Sequence, residues 1–576
     1  MEQRRFLLAM ILSGLVIFVW QIFFVPPIEE EPIREELDEI TAEEEVELDE
    51  ADLDEAPAEE LDEEVAEPEE LEQLDDEVID DAPQIEVRTD VIRTGQVDVA
   101  LSNRGAVVTD VQVTAPRQYA GVGGDLMRAF EEDAPDWPFS LTFESGNIDI
   151  EPNALFEVIE EKSTRAADGE SYKTLFYRYT DPRGHFTVDK VYSADSERRY
   201  GLVLDVEVHN QLDDNGVRLA ATPQLHVMGR DDPEKESSFF DFRPDVLEGV
   251  CHTTDGTERT VFDNLENSET YADYSVLWAG ADTRYFIMAA APIDPAASCT
   301  FDSAGEDYLR VTIEHDPFSI EPGDGWTMRH HLYMGPKDFD VLRAFDAPAQ
   351  TQFELQESVD YGLFTVLARP LRWSLVRLYN FTLNWGLAII LLTFIIKAIT
   401  WPITGKAYTS AERMKQIQPL IKEIREKYEN DQQRMTEETM KAFRENNVSP
   451  LGCLPLLLQM PILYGLFVMI YNSVELYQAE FLWYADLSAP DPYFILPVVM
   501  GAVMFIQQRI TMSTAATTNP QMMIVMKVMP VAFTAFMLFL PAGLVLYYLL
   551  NLVMGLGQQF LIKRKFRLAE EAGESA

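Results

Sequence analysis

The chain has 576 residues, 47% of them hydrophobic, and a formal net charge of −54. That length admits several domains, and three cysteines are too few for a disulfide framework. The charge argues against nucleic acid as a partner of the acidic region, because duplex binding is driven by neutralising phosphates with Lys and Arg.

The charge is unevenly placed. Residues 29–83 hold 30 acidic groups and one basic one, and residues 84–360 hold 53 acidic against 23 basic, while the two ends of the chain are slightly positive. Such an excess fits a surface facing high salt, where screening tolerates self-repulsion, and reads as habitat rather than mechanism.

Phe6 to Val25 is a 20-residue apolar run preceded by Arg4 and Arg5 and followed by Pro26 and Pro27 without a small-residue cleavage motif. It predicts an uncleaved anchor over 1–27, with the N-terminus cytoplasmic. Residues 28–83 contain no aromatic residue and are Pro-interrupted, which predicts a disordered acidic linker.

From 84 to 350 the apolar period becomes two. Leu202, Leu204, Val206 and Val208 alternate with polar positions, as do Leu309, Val311 and Ile313, and turn signals such as Asp181 to Gly184 separate the runs. This predicts a large antiparallel β-domain, most plausibly a sandwich. Cys251 and Cys299 lie within it and can pair if it faces an oxidising compartment; their spacing decides neither way.

Residues 361–380 carry Phe364, Leu367, Leu371, Leu375 and Leu378 at helical spacing with Arg369, Arg372 and Arg377 between them. This predicts an amphipathic helix along the membrane surface, its arginines available to headgroups. Five apolar runs follow: Leu383 to Trp401, Leu451 to Tyr471, Tyr493 to Ile510, Met522 to Leu540 and Leu544 to Ile562. Residues 402–450 carry nine basic residues and the tail 563–576 carries Lys563, Arg564, Lys565 and Arg567, whereas 472–491 has none. The positive-inside rule predicts six spans with both termini cytoplasmic and the β-domain outside.

Within 402–450 two helices should turn at Glu429 to Asp431, with Met414, Ile417, Ile421, Ile424 and Tyr428 as one side of a seam and Met435, Thr439 and Ala442 as the other. Glu423 and Lys427 stand at ion-pair spacing. The arm is either a solvated connector or a cytoplasmic docking surface.

Lys397 sits inside the first of these spans. A charge at membrane depth costs about 2.5 to 3.5 kcal/mol on insertion scales and usually faces a functional cavity, although its nearness to the cytoplasmic end also allows it to snorkel. Polar residues at neighbouring positions, Thr393, Gln459, Gln507, Gln508, Tyr548, Asn551, Gln558 and Gln559, favour a hydrophilic chamber, though each amide alone is more often helix-helix glue. Lys527, among Met522, Met523, Met526 and Met529, reads instead as a snorkelling lysine on an adaptable apolar helix. No nucleophile elbow, phosphate loop or metal spacing is present, so neither an enzyme nor a cofactor is expected.

Several stretches strongly resemble the YidC/Oxa/Alb membrane protein insertases in their Gram-negative form: Asn384 to Gly386, Thr393 to Lys397 with Pro402, Asn447 to Gly452, Pro455 to Pro461, Asp491 to Tyr493, Leu496 with Pro497, and Pro541 to Tyr548. The resemblance extends over nearly the whole chain, including Trp278 to Gly280 and Tyr285 with Phe286. It implies an inner-membrane insertase and chaperone without enzymatic chemistry, with a periplasmic β-supersandwich over 84–350 and a five-span core over 381–562. Its partners would be nascent integral membrane proteins, the Sec translocon, membrane lipids and, weakly through 402–450 and the basic tail, the ribosome, with no small-molecule substrate. The family's groove is open to the cytoplasm, and Lys397 matches its basic residue. Thr393, Gln459, Met460 and Tyr548 match groove or substrate-contact positions, with Gln507, Gln508 and Asn551 as further polar candidates. Two departures stand out. Lysine replaces the usual arginine, losing the guanidinium fork, and Leu463 stands where an aromatic residue is common. The rival readings are a solute transporter, which predicts an internal repeat that is not seen, and a β-domain that is itself the active part.

Overall fold

A computed structural model describes residues 85–114, 136–165, 171–195, 198–212, 217–231, 246–265, 267–346, 353–429, 431–446, 448, 454–512 and 520–571. The expected anchor and the acidic linker lie outside them, as does the side chain of Lys527.

The β-domain is built from two large antiparallel sheets and a small three-stranded one. The nine-stranded sheet runs, edge to edge, Thr257–Val261, Glu248–Thr253, Val276–Asp282, Phe286–Pro292, Gly325–Pro336, Gly201–Asn210, Phe186–Ala194, Ser171–Thr180 and Glu157–Arg165. Alternation decides which face is inward. Leu202, Leu204, Val206 and Val208 are fully buried, while Asp205 turns outward to pair with Arg329 on the next strand. The six-stranded sheet is centred on Leu219–Arg230, and its neighbour Tyr308–Glu314 buries Leu309, Val311 and Ile313 as the period-two pattern predicts.

The two large sheets are stitched together. Cys251 of the nine-stranded sheet and Cys299 of the six-stranded sheet form a disulfide, their Cα atoms 6.6 Å apart. Gly249 lies beside it because a Cβ there would come within 2.9 Å of the Phe301 ring. The close approach of the sheets therefore requires glycine at this position.

Among the described residues eight α-helices follow: α1 (Phe339–Phe345), α2 (Thr365–Thr382), α3 (Trp385–Lys427), α4 (Gln432–Glu445), α5 (Leu454–Tyr471), α6 (Ile495–Met512), α7 (Pro520–Met537) and α8 (Ala542–Glu571). Leu383, at φ 52°, makes the left-handed turn between α2 and α3, and Asn384 caps α3 by accepting from the Leu387 N–H at 3.0 Å. The Tyr379 and Trp385 rings stack at 3.9 Å across this corner.

Three expectations change here. The first arm of the hairpin is not a separate helix. α3 continues from the apolar run through Pro402 and Pro419 for 43 residues, about 64 Å at 1.5 Å per residue. Around Pro402 the Thr404 hydroxyl donates to the carbonyls of Thr400 and Trp401, and Gln558 also donates to the Trp401 carbonyl, tying this stretch of α3 to α8. The turn at Glu429 to Asp431 is where α3 ends, and Ile417, Ile421 and Ala442 form its seam with Val448 and Phe443 added. The ion pair on α3 is Lys422 with Glu426 at 3.9 Å, while Lys427 lies over the Tyr428 ring instead of reaching Glu423. Finally, Arg372 does not face headgroups. It is buried against Glu475, with Asp338 and Asp340 at 3.4 and 3.3 Å, because the carboxylates of the β-domain edge and of the 472–491 segment converge on it.

The β-domain and the helices share an interface of aromatic and cationic groups. Arg284 donates from Nε to the Tyr471 carbonyl at 2.6 Å and its guanidinium lies 3.6 Å above the Tyr471 ring. Tyr285 packs on Tyr477 at 4.8 Å.

Candidate functional site

The polar residues of the helical region concentrate where α3 meets α8. Ile389 touches the position of Gly543, Lys397 Nζ donates to Asn551 Oδ1 at 3.3 Å, and Thr404 donates to Gln558 Oε1 at 3.0 Å. The two hydrogen bonds join residues with the same separation, 154 positions, so the helices run parallel and in register. Along α8, Asn551, Gly555 and Gln558 follow at helical spacing on one face; along α3, Lys397, Thr404 and Tyr408 do the same.

Lys397 is 5% exposed and Thr393 1%. Gly555 lies directly against two polar side chains of α3. A Cβ would stand 3.3 Å from the Tyr408 hydroxyl and 3.5 Å from Lys397 Nζ. Among the described residues no carboxylate lies within ion-pair reach of the ammonium, so it is held by neutral groups alone. The hydroxyl of Thr393 donates to the Ile389 carbonyl at 2.7 Å and that of Thr400 to the Ile396 carbonyl at 2.9 Å, so these side chains satisfy themselves on their own helix.

The remaining candidates are placed elsewhere. Gln459 on α5 donates to the Tyr547 hydroxyl at 3.0 Å, not to Tyr548, whose ring packs on Phe533 at 5.1 Å. Met460 is exposed, and Leu463 is half-buried against the core. Gln507 and Gln508 are half-buried on α6, which also packs against α8. Gln558 and Gln559 are buried. Tyr547, Tyr408, Thr404 and Gly555 join these contacts without being sequence-predicted site residues. The spacing of Asn551, Gly555 and Gln558 against Lys397 and Thr404 carried their signal.

Two further features are not part of this seam. A cavity of about 710 Å³ lies where the β-domain meets α2 and α3, but its charged wall is engaged internally, Arg372 with Glu475 and Arg198 with Asp195. Among the described residues, Asp189, Glu207 and His209 bring one metal-ligating atom each within 4.8 Å of one another. Arg178 already occupies both Asp189 oxygens, at 2.6 and 2.5 Å, so the set is a poor fit for a resident cation.

By length and composition two described helices, Trp385–Lys427 and Ala542–Leu568, are apolar enough to cross a membrane, and three shorter apolar helices accompany them. The architecture is thus a β-sandwich domain joined to an apolar helical region with a lysine-bearing polar seam. Residues 377–570 match the family described as 60Kd inner membrane protein, and residues 87–374 match the YidC periplasmic domain. Among its relatives is the membrane protein insertase YidC of Geobacter sulfurreducens, 33% identical over 483 residues, covering 83% of this chain and 86% of the relative. The namesake of Geotalea daltonii is 30% identical over 567 residues, 98% of this chain and 99% of the relative. A solved structure described as an active YidC insertase with the first transmembrane domain resolved is 18% identical, covers 82% of this chain and 93% of that one, and superposes with a TM-score of 0.37. The chain belongs to the YidC family.

Proposed function

We propose that this chain is a membrane protein insertase and chaperone of the bacterial inner membrane, acting on nascent integral membrane proteins alone or with the Sec translocon. The observation that carries the reading is the buried ammonium of Lys397 in the α3–α8 seam, held by Asn551 and by no acid among the described residues, in a chain of the YidC family. An ammonium without a counter-charge attracts an acidic or polar segment, which it can hydrogen-bond where hydrocarbon cannot.

This reading includes six spans with both termini cytoplasmic. The parallel run of α3 and α8 requires an odd number of crossings between them, and α5, α6 and α7 supply three. The domain limits are those of the sequence: anchor 1–27, linker 28–83, β-domain 84–350, surface helix 361–380, core 381–562 with hairpin 402–450, and tail 563–576.

In this mechanism a short polar tail of the substrate enters from the cytoplasm and meets Lys397, while its apolar segment passes Thr393, Gln459, Met460, Leu463 and Tyr548 into lipid. Partitioning at about 0.8 kcal/mol per buried methylene drives the step without a nucleotide. The hairpin, with Lys563, Arg564, Lys565 and Arg567, offers the ribosome a weak basic contact.

Site-specific photocrosslinking from positions 393, 459 and 548 to a stalled nascent chain with one emerging apolar segment tests this. Adducts at all three support the path. Their absence, beside a control position that still crosslinks, would make these residues structural.

A further inference from the structure

Beyond the last apolar turn of α8 a second cavity, of about 510 Å³, opens against α3 and the end of α6. Its chemistry changes along the α8 axis. Ile510, Leu556 and Phe560 form an apolar lower wall, and Lys563, Arg564 and Arg567 form a basic rim. Glu412 and Lys415 on α3 also border it and pair with each other. Lys563 and Arg564 are exposed and have no ion pair among the described residues. Gln559 lies between wall and rim. It is 8% exposed, and its Oε1 is buried without a hydrogen-bond donor among the described residues. A bare buried acceptor is costly, and the cost is relieved by a ligand that brings a donor.

We propose that this cavity binds the headgroup of an anionic glycerophospholipid that carries a free hydroxyl, of the phosphatidylglycerol class. The phosphodiester meets Lys563 and Arg564, the headgroup hydroxyl donates to Gln559 Oε1, and an acyl chain continues along Leu556, Phe560 and Ile510. A free phosphate would use the cations but leave the apolar wall unmatched. The assignment rests on the proposed crossing of the bilayer by α8, with Lys563 at its boundary, and not on insertion activity.

The test is native mass spectrometry of the delipidated full-length protein in detergent, titrated with dioleoyl phosphatidylglycerol and, separately, with dioleoyl phosphatidylmethanol, a phosphodiester whose headgroup has no hydroxyl. Lys563→Gln combined with Arg564→Gln should weaken both lipids by on the order of tenfold. Gln559→Leu, checked for a monodisperse elution profile, should weaken phosphatidylglycerol several-fold and leave phosphatidylmethanol within about twofold. Unchanged phosphatidylglycerol binding in the double variant would overturn the site. Displacement of the lipid by millimolar inorganic phosphate would reassign it to a free anion. Loss of ribosome co-sedimentation with lipid binding intact would make the rim a ribosome contact instead. Orientation is read independently, by labelling a Ser575→Cys thiol in vesicles of a Cys453→Ser background. An external thiol with lipid binding intact would overturn the topology and leave the lipid site standing.

Discussion

Arg372 and Glu475 form a buried ion pair: the Arg372 Nε donates to Glu475 Oε1 at 2.7 Å, Nη2 lies 2.5 Å from the same oxygen, and each residue is 6% exposed. Burial pushes the Glu475 carboxyl up while the guanidinium pulls it down, so the carboxylate depends on Arg372 to remain charged and Arg372 on Glu475 for a buried counter-charge. The pair ties α2 to the 472–491 segment, and Asp338 and Asp340 extend it to the β-domain.

Removing one partner should therefore harm more than removing both. Arg372→Met is expected to cost about 3 to 5 kcal/mol, and adding Glu475→Met should recover at least half of it. Thermal unfolding of the full-length protein in detergent measures both. A double variant as unstable as the single one would mean that packing, not charge, dominates here.

At the α3–α8 seam, charge is the expected variable. Lys397→Glu should lower insertion of substrates with acidic tails by roughly tenfold, equivalent to about 1.4 kcal/mol, whereas Lys397→Arg stays within about twofold. Growth and substrate insertion in a depletion strain report this. Equal activity of the wild type and both variants would remove Lys397 from the mechanism.

The β-domain should lose stability in mild acid. His315 and His330 face each other with Nε2 atoms 3.0 Å apart, and burial holds His315 down to about 4, against the upward pull of Asp316 and Asp294, and His330 well below its ordinary value. Because the folded values are depressed, the unfolded chain takes up protons first. The stabilisation is present above about pH 6.5 and is lost as pH falls toward 4, on the order of 3 kcal/mol from His315 alone. Near-ultraviolet circular dichroism melts at pH 7, 5.5 and 4 should show that decline, and His315→Asn with His330→Leu should flatten it. Identical slopes would point to other groups.

Reduction should loosen the sandwich. Cys251 and Cys299 are 48 residues apart in sequence, and a loop of that length corresponds to about 4 kcal/mol of unfolded-state entropy. Cys251→Ser with Cys299→Ser should lower the β-domain melting temperature by that equivalent and make it insensitive to reductant. No shift would show that the sheets hold together without the bridge.

Much of this architecture is legible in residue order. Leu202 to Val208 and Leu309 to Ile313 reveal strands because alternation is a local property of a pleated chain, and the seam residues Ile417, Ile421 and Ala442 follow from helical spacing alone. Arg372 shows the limit. Its helix was evident, but three acids supplied by α1, its N-cap and the 472–491 segment converge on it only after folding. The same holds for Gln459, whose partner Tyr547 stands next to the more conspicuous Tyr548.

Composition and periodicity by themselves determined the acidic character of residues 29–83, the β-domain, the order of apolar runs and the place of Lys397 within one of them, because each depends on neighbours within a turn or two of chain. Tertiary structure alone decided that Cys251 meets Cys299, that α3 runs unbroken through two prolines, and that Lys397 rests on Asn551 beside Gly555. Those are contacts between residues tens to more than a hundred positions apart, and their geometry is set by the packing of whole sheets and helices.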